Sequence, residues 1–235
     1  MAGKTAILTG VTGGWGRAVL DRFLDRGWNV CATTRGETGL PDGVLIAEAD
    51  LTDADSAQAV VDAAVERFGR VDALACVAGG FAAAGPVHEQ SLDVWRKQLA
   101  LNLDTAYLIS RAVLGPMLEQ GSGSIVNISS VAGRFARNGN AVYSLTKFGV
   151  NGFTEALRKE VTRRHVRVGV LEPGGVATEL ASHNNDEVRT AITDPFYEQT
   201  EVLAPDDIAD GVAYMVTRPR HASVGELWIM PTDQV

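Results

Sequence analysis

Thr5-Ala6-Ile7-Leu8-Thr9-Gly10-Val11-Thr12-Gly13-Gly14-Trp15-Gly16 is the stretch that decides the fold. Its first four residues, Thr5 to Leu8, form a short apolar run closed by glycines, which reads as a buried strand. From Trp15 to about Arg26 the chain turns amphipathic, so the glycines stand between a strand and a helix. Glycines at such a junction let the backbone turn tightly and bring its N–H groups to a helix N-terminus, where the dipole favours a pyrophosphate. Ordinary tight turns use glycine too, so the motif gains its weight from the residues further along the chain.

Short apolar, β-branched runs alternate with longer amphipathic runs along the rest of the chain, the pattern of repeated βαβ units. Strands are predicted at Thr5 to Leu8, Asn29 to Thr33, Val44 to Glu48, Ala73 to Val77, Ser124 to Ile128, Val166 to Leu171 and Glu226 to Met230. Helices are predicted at about Trp15 to Arg26, Ser56 to Phe68, Leu92 to Leu118, Val142 to Arg164 and Pro205 to Thr217. The expected fold is α/β: a Rossmann-like, doubly wound sheet of seven mainly parallel strands with helices on both faces. With 235 residues, one domain over residues 1–235 is expected. The alternation breaks at 178–203, where Ser182-His183-Asn184-Asn185-Asp186 and Pro195 interrupt it, and a connection that long reads as a substrate lid. His183, Phe196 and Tyr197 fall within it, while Phe81 and Phe135 follow motifs at strand ends; substrate contact and simple packing are both open for them.

The net charge of −8 argues against nucleic acid or an anionic membrane surface as partner. Cys31 and Cys76 lie in apolar runs without pairing or metal-ligand spacing, which points to a reduced, cytoplasmic setting. The N-terminal residues do not read as a signal peptide, and Ala73 to Val87 is too short and interrupted to span a bilayer. The four histidines are dispersed, so no metal site is expected.

In a doubly wound sheet, ligands bind outside the carboxyl ends of the strands, and the remaining motifs all fall there. The second strand ends in Thr33-Thr34-Arg35, without the acidic residue that binds the ribose 2′-hydroxyl of NAD. A guanidinium suits the 2′-phosphate of NADP, although a solvated loop arginine would look the same. After the third strand, the Asp50 carboxylate is placed to accept from an adenine amino group with Leu51 packed beside the ring; a turn or cap role is the alternative. Ser130 follows the fifth strand, and Tyr143 and Lys147 stand four residues apart on one face of the next helix. A free phenol titrates at about 10 and is a reluctant base near neutrality, while an ammonium one helical turn away favours its phenolate.

These marks resemble the short-chain dehydrogenase/reductase family, single-domain branch. The resemblance rests on Thr9-Gly10-x-x-x-Gly14-x-Gly16, Asn102 in Leu101-Asn102-Leu103, Ser130 thirteen residues before Tyr143, Tyr143-x-x-x-Lys147, and Pro173-Gly174 with Thr178. It implies a catalytic set of Asn102, Ser130, Tyr143 and Lys147. Tyr143 would be the general acid in reduction and the base in oxidation, its pKa lowered by the Lys147 ammonium together with the positive nicotinamide ring of the oxidised cofactor; Ser130 would hold the substrate oxygen, Lys147 the nicotinamide ribose, and Asn102 a water relaying protons to Lys147. It further implies an NADP(H) or NAD(H) site built from Gly10, Thr12, Gly14, Trp15, Gly16, Arg35, Asp50, Leu51, Ala78, Gly79, Tyr143, Lys147, Pro173, Gly174, Val176 and Thr178, with NADP(H) preferred on the strength of Arg35. A small carbonyl or alcohol substrate is implied, and a homodimer or homotetramer paired through the helices at about 92 to 118 and 142 to 164.

Three departures stand out. The family's Asn-Asn-Ala-Gly is here Cys76-Val77-Ala78-Gly79, position 13 lacks the basic residue of many NADP-preferring relatives, and the tail differs from the commoner Asp-Gly-Gly. The competing readings are an NAD-dependent alcohol or hydroxy-acid dehydrogenase, an epimerase or dehydratase, for which the chain has no room for a second domain, and a non-catalytic cofactor-binding regulator, which would commonly have lost one of Ser130, Tyr143 and Lys147.

Overall fold

Every residue of the first strand, β1 (Thr5–Thr9), is buried, because the strand lies inside a sheet covered on both faces. A computed structural model describes residues 3–36, 39–81, 86–178 and 194–234. With β2 (Asn29–Thr34), β3 (Leu45–Glu48), β4 (Ala73–Cys76), β5 (Gly123–Ile128), β6 (Val166–Pro173) and β7 (Glu226–Ile229) it forms one sheet in the order β3-β2-β1-β4-β5-β6-β7. All six pairings are parallel, so the mainly parallel sheet expected from the sequence is fully so.

The strand period of two splits the core. Ile7, Cys31, Leu74, Ile125 and Val168 face α2 (Ala54–Phe68), α4 (Thr105–Gln120) and α5 (Ala141–Val161). Their neighbours Ala6, Leu8, Ala32, Ala75 and Val126 face α1 (Gly14–Leu24) and the last helix, Pro205–Thr217. Turn chemistry sets the helix ends: Asp53 accepts from the Ser56 N–H at 2.8 Å to start α2, and Gly69, at φ 76°, stops it.

The one long helix expected over Leu92 to Leu118 is divided. It runs as α3 (Leu92–Leu99), a π-helical turn over Ala100–Asp104, and then α4. The Asn102 side chain pairs with the Gly80 backbone in both directions, Nδ2 to the carbonyl at 2.9 Å and the Gly80 N–H to Oδ1 at 3.0 Å. The Thr105 hydroxyl donates to the Ala100 carbonyl at 3.1 Å, serving an acceptor in the widened turn. A short helix, α6 (Asp194–Gln199), follows the undescribed part of the proposed lid, and the final helix is α7 (Pro205–Thr217). Residues 179–193, His183 among them, lie outside the described residues. No described helix is long and apolar enough to cross a membrane.

Strand order reverses between β1 and β4, both of which end on the same side. The turn after β1 meets the segment after β4 so closely that a Cβ on Gly10, itself at φ 71°, would lie 2.7 Å from the Ala78 nitrogen. This is the crevice of the sheet's switch point.

Candidate active site

The glycine-rich turn builds one wall of the crevice. Gly16 allows α1 to pack onto the turn, since a Cβ there would stand 2.0 Å from the Gly10 carbonyl oxygen. Gly14 gives the same freedom to Thr178, whose Cγ2 would be 2.8 Å from a Cβ. At the start of α1, Gly13 supplies no side-chain cap and the first turn has no acidic residue. Unpaired N–H groups at a helix start suit a phosphate.

Ser130, at the end of the β5 segment, opens a 3-10 turn over Val131–Gly133, and its Oγ accepts from the Ala132 N–H at 3.1 Å. That contact fixes the hydroxyl beside the cavity that Tyr143, in the first turn of α5, also lines. Phe81 packs edge-on against the Tyr143 ring at 4.8 Å. Lys147, one turn on, is buried, donates to the Ile128 carbonyl at 3.1 Å, and holds its Nζ 5.7 Å from the Tyr143 ring centre. Ser129 donates to the Lys147 carbonyl at 3.2 Å, tying the end of β5 to the helix.

In the chain by itself, burial dominates the electrostatics of this pair. Tyr143 keeps some exposure to the cavity, yet burial pushes its phenol up to about 12, with the Ser130 side chain acting in the opposite direction. Burial also pushes Lys147 down to about 8. The phenol of the cofactor-free protein is thus not drawn down by the lysine: both groups sit in a medium that disfavours their charged forms. A protonated Tyr143 is the form that donates a proton.

Asn102 comes to the same place through the π turn. A Cβ on Gly79 would lie 2.9 Å from its Oδ1 and 3.7 Å from Lys147 Nζ, so glycine keeps open a space between the two. Cys76, where the family carries asparagine, is buried with Sγ 3.9 Å from the Thr9 hydroxyl, and burial pushes its thiol up to about 11. Thr9 Oγ1 accepts the Ala78 N–H at 2.9 Å, which ties the two strand ends together.

Two cavities flank this centre. The larger, about 890 Å³, is lined by Ser130, Tyr143, Trp15, Thr178 and the segment Pro173–Val176, together with the aromatic residues Phe81, Phe135, Phe196 and Tyr197. The Tyr197 hydroxyl anchors α6 by donating to the Val176 carbonyl at 3.0 Å. A second cavity, about 570 Å³, lies beyond β2 and β3 and is lined by Arg35, Asp50, Lys97 and Leu101. Asp50 has the turn role as well, since its Oδ1 accepts from the Thr52 N–H at 3.0 Å and hydroxyl at 2.7 Å, which holds its carboxyl below the ordinary range. Leu51 is buried in the core behind it, and Thr12 is exposed on the turn. Sequence reasoning missed Lys97, Arg137, Asn140, Gln199 and Gln234 as cavity residues; none sits at a strand end or in a recurrent spacing.

A glycine-floored crevice at the switch point, with a hydroxyl–phenol pair and a buried lysine beside it, defines a dinucleotide-binding α/β protein with groups for proton transfer. Residues 4–189 match the family model of short chain dehydrogenase. Sulfoacetaldehyde reductase 2 of Chromohalobacter salexigens is 35% identical, covering 97% of this chain and 94% of its own. The NADP-dependent 3-hydroxy acid dehydrogenase of Salmonella typhi is 31% identical over 97% and 95% of the two chains. Among solved structures, the closed form of serine dehydrogenase complexed with NADP+ superposes with a TM-score of 0.91 at 29% identity, covering 98% of this chain and 96% of that one. This chain belongs to the short-chain dehydrogenase/reductase family, and it is an NAD(P)-dependent oxidoreductase.

Proposed function

We propose that the protein is an NADP(H)-dependent reductase interconverting a carbonyl compound and a secondary alcohol. The observation that carries this reading is the convergence of Ser130 and Tyr143 on one cavity, bounded by Trp15 and Thr178, with Lys147 one helical turn away. Two relatives support by name the carbonyl–alcohol class of reaction and the cofactor, one a sulfoacetaldehyde reductase and the other an NADP-dependent 3-hydroxy acid dehydrogenase.

The residues present fit the cofactor. Gly10, Gly14 and Gly16, with the uncapped start of α1, accommodate a pyrophosphate, and Thr12, Ala78 and Gly79 border it. Arg35 reaches the cavity of Asp50, where a guanidinium can take a 2′-phosphate. Pro173, Gly174, Val176 and Thr178 form the wall for the nicotinamide end. The cofactor supplies the hydride; the protein supplies orientation and the proton.

Within that frame, Ser130 donates to the substrate oxygen and sets it beside the Tyr143 hydroxyl. Tyr143, held protonated by burial, gives its proton to that oxygen as charge develops on it. Lys147 is poised near 8 to accept and return a proton, and the space between it and Asn102 Oδ1 gives a water a polar berth on the way to solvent. NADPH oxidation with a carbonyl panel tests the proposal: Tyr143→Phe is expected to remove turnover while NADPH still raises the melting temperature. Wild-type turnover in that variant refutes it.

A further inference from the structure

Resting on the carbonyl-reductase reading, the geometry points to Arg137 and Asn140 as an anion-recognition pair, so that the substrate carries a carboxylate or sulfonate besides its carbonyl. The larger cavity's wall is mainly apolar and aromatic, and among its described lining residues there is no Asp, Glu, Lys or His; Arg137 is the single permanent charge. The two arginines of this loop are used differently. Arg134 is locked against the buried Glu172, with Nε 2.9 Å from Oε2, and against Glu226. Arg137, three residues on, has no ion pair with any described residue and faces the cavity.

Its placement is built by a turn. The Asn140 N–H donates to the Arg137 carbonyl at 3.2 Å, with Gly139 at φ 79° in the third position. Positive φ there is what a type II turn requires and glycine supplies it without strain. The turn brings residues 137 and 140 together at its two ends, and both line the cavity. Asn140 occupies the N-cap position of α5, where asparagine normally bonds the first-turn N–H groups, yet it makes no side-chain cap bond. Its amide is therefore left to donate into the cavity beside the guanidinium. A fork of N–H donors next to a second donor matches the oxygens of a carboxylate or sulfonate.

The sites of charge and chemistry belong to one segment: Arg137 lies seven residues after Ser130 and six before Tyr143. On a chain of net charge −8 the average field repels small anions, so this local cation must do the selecting. Recognition by an exposed arginine weakens with salt.

The test compares kcat/KM for charged and neutral ketones with NADPH: acetoacetate against its methyl ester, and 2-oxopropane-1-sulfonate against butanone. Wild type is expected to prefer the anion in at least one pair, and which pair tells carboxylate from sulfonate. Arg137→Gln is expected to cut that preference by roughly 10- to 100-fold, the range for one charge-assisted contact, with the loss mainly in KM; Arg137→Lys recovers part of it. An anion preference that is absent in wild type, or unaltered in Arg137→Gln, overturns the inference. Calorimetric titration of the same compounds into protein saturated with NADP+ separates the two levels. Arg137-dependent binding of the anion without turnover refutes the reductase reading and upholds the anion site; binding without charge preference overturns the anion site.

Discussion

Lys147 makes the stability of the cofactor-free protein depend on pH in a direction opposite to that of an ion-paired lysine. It is 6% exposed, and burial pushes its ammonium from the ordinary 10.5 down to about 8. The folded state therefore holds this proton less tightly than the unfolded chain does. Below pH 8 both states are charged and the folded protein bears the whole cost, about 3 kcal/mol for a displacement of that size. From pH 8 to 10.5 the folded lysine is neutral while the unfolded one is still protonated, so stability rises with pH and the cost vanishes above 10.5. About 2 kcal/mol of it remains at pH 9. Urea unfolding of wild type and Lys147→Met at pH 7 and pH 9, followed by tryptophan fluorescence, reads this directly. The variant also loses the bond to the Ile128 carbonyl, but that loss is the same at both pH values. Other groups titrate in both proteins, including the Tyr143 phenol and Cys76 thiol that burial pushes up to about 12 and about 11. The expected result is that wild type gains about 1 kcal/mol on the variant between pH 7 and pH 9. A difference that is flat with pH, or that moves the other way, refutes the assignment of a desolvated lysine.

Three further outcomes are expected. Gly16→Ala sets a Cβ 2.0 Å from the Gly10 carbonyl oxygen, which costs about 3 kcal/mol or more and abolishes the NADPH-induced rise in melting temperature; a wild-type melt and cofactor response would show the turn to be more yielding than this. Arg35→Ala lowers the NADPH-to-NADH affinity ratio by roughly 10- to 100-fold, and an unchanged ratio removes Arg35 from 2′-phosphate recognition. Leu145 and Phe148 expose 46% and 47% of their surface on α5, so Leu145→Glu combined with Phe148→Glu shifts light scattering from dimer or tetramer to monomer; a wild-type protein that is monomeric at micromolar concentration ends the proposed pairing.

Much of the fold is legible in the sequence because its signals are local. A run such as Ala73 to Cys76 is apolar throughout since both faces of its strand are covered, and Pro205 to Thr217 is bounded by a proline that starts a helix. The break at the centre of the helix expected over Leu92 to Leu118 is not legible, because the π turn depends on Asn102 bonding to Gly80, twenty-two residues away. Spacing is enough to name Ser130, Tyr143 and Lys147 but not to give their electrostatics: proximity suggests a phenol drawn down by its lysine, whereas shared burial drives both toward neutrality.

The sequence by itself determined the strand–helix alternation, the family, and the residues placed at strand ends, since each of these follows from composition and spacing within a few turns of chain. Tertiary structure alone decided which groups share a space. It set Lys97 with Arg35 in one cavity, turned Arg137 and Asn140 into the other, and locked Arg134 onto Glu172 instead. The physical reason is that the partners and burial of a loop side chain depend on segments far apart in the chain, and no periodicity in the loop records them.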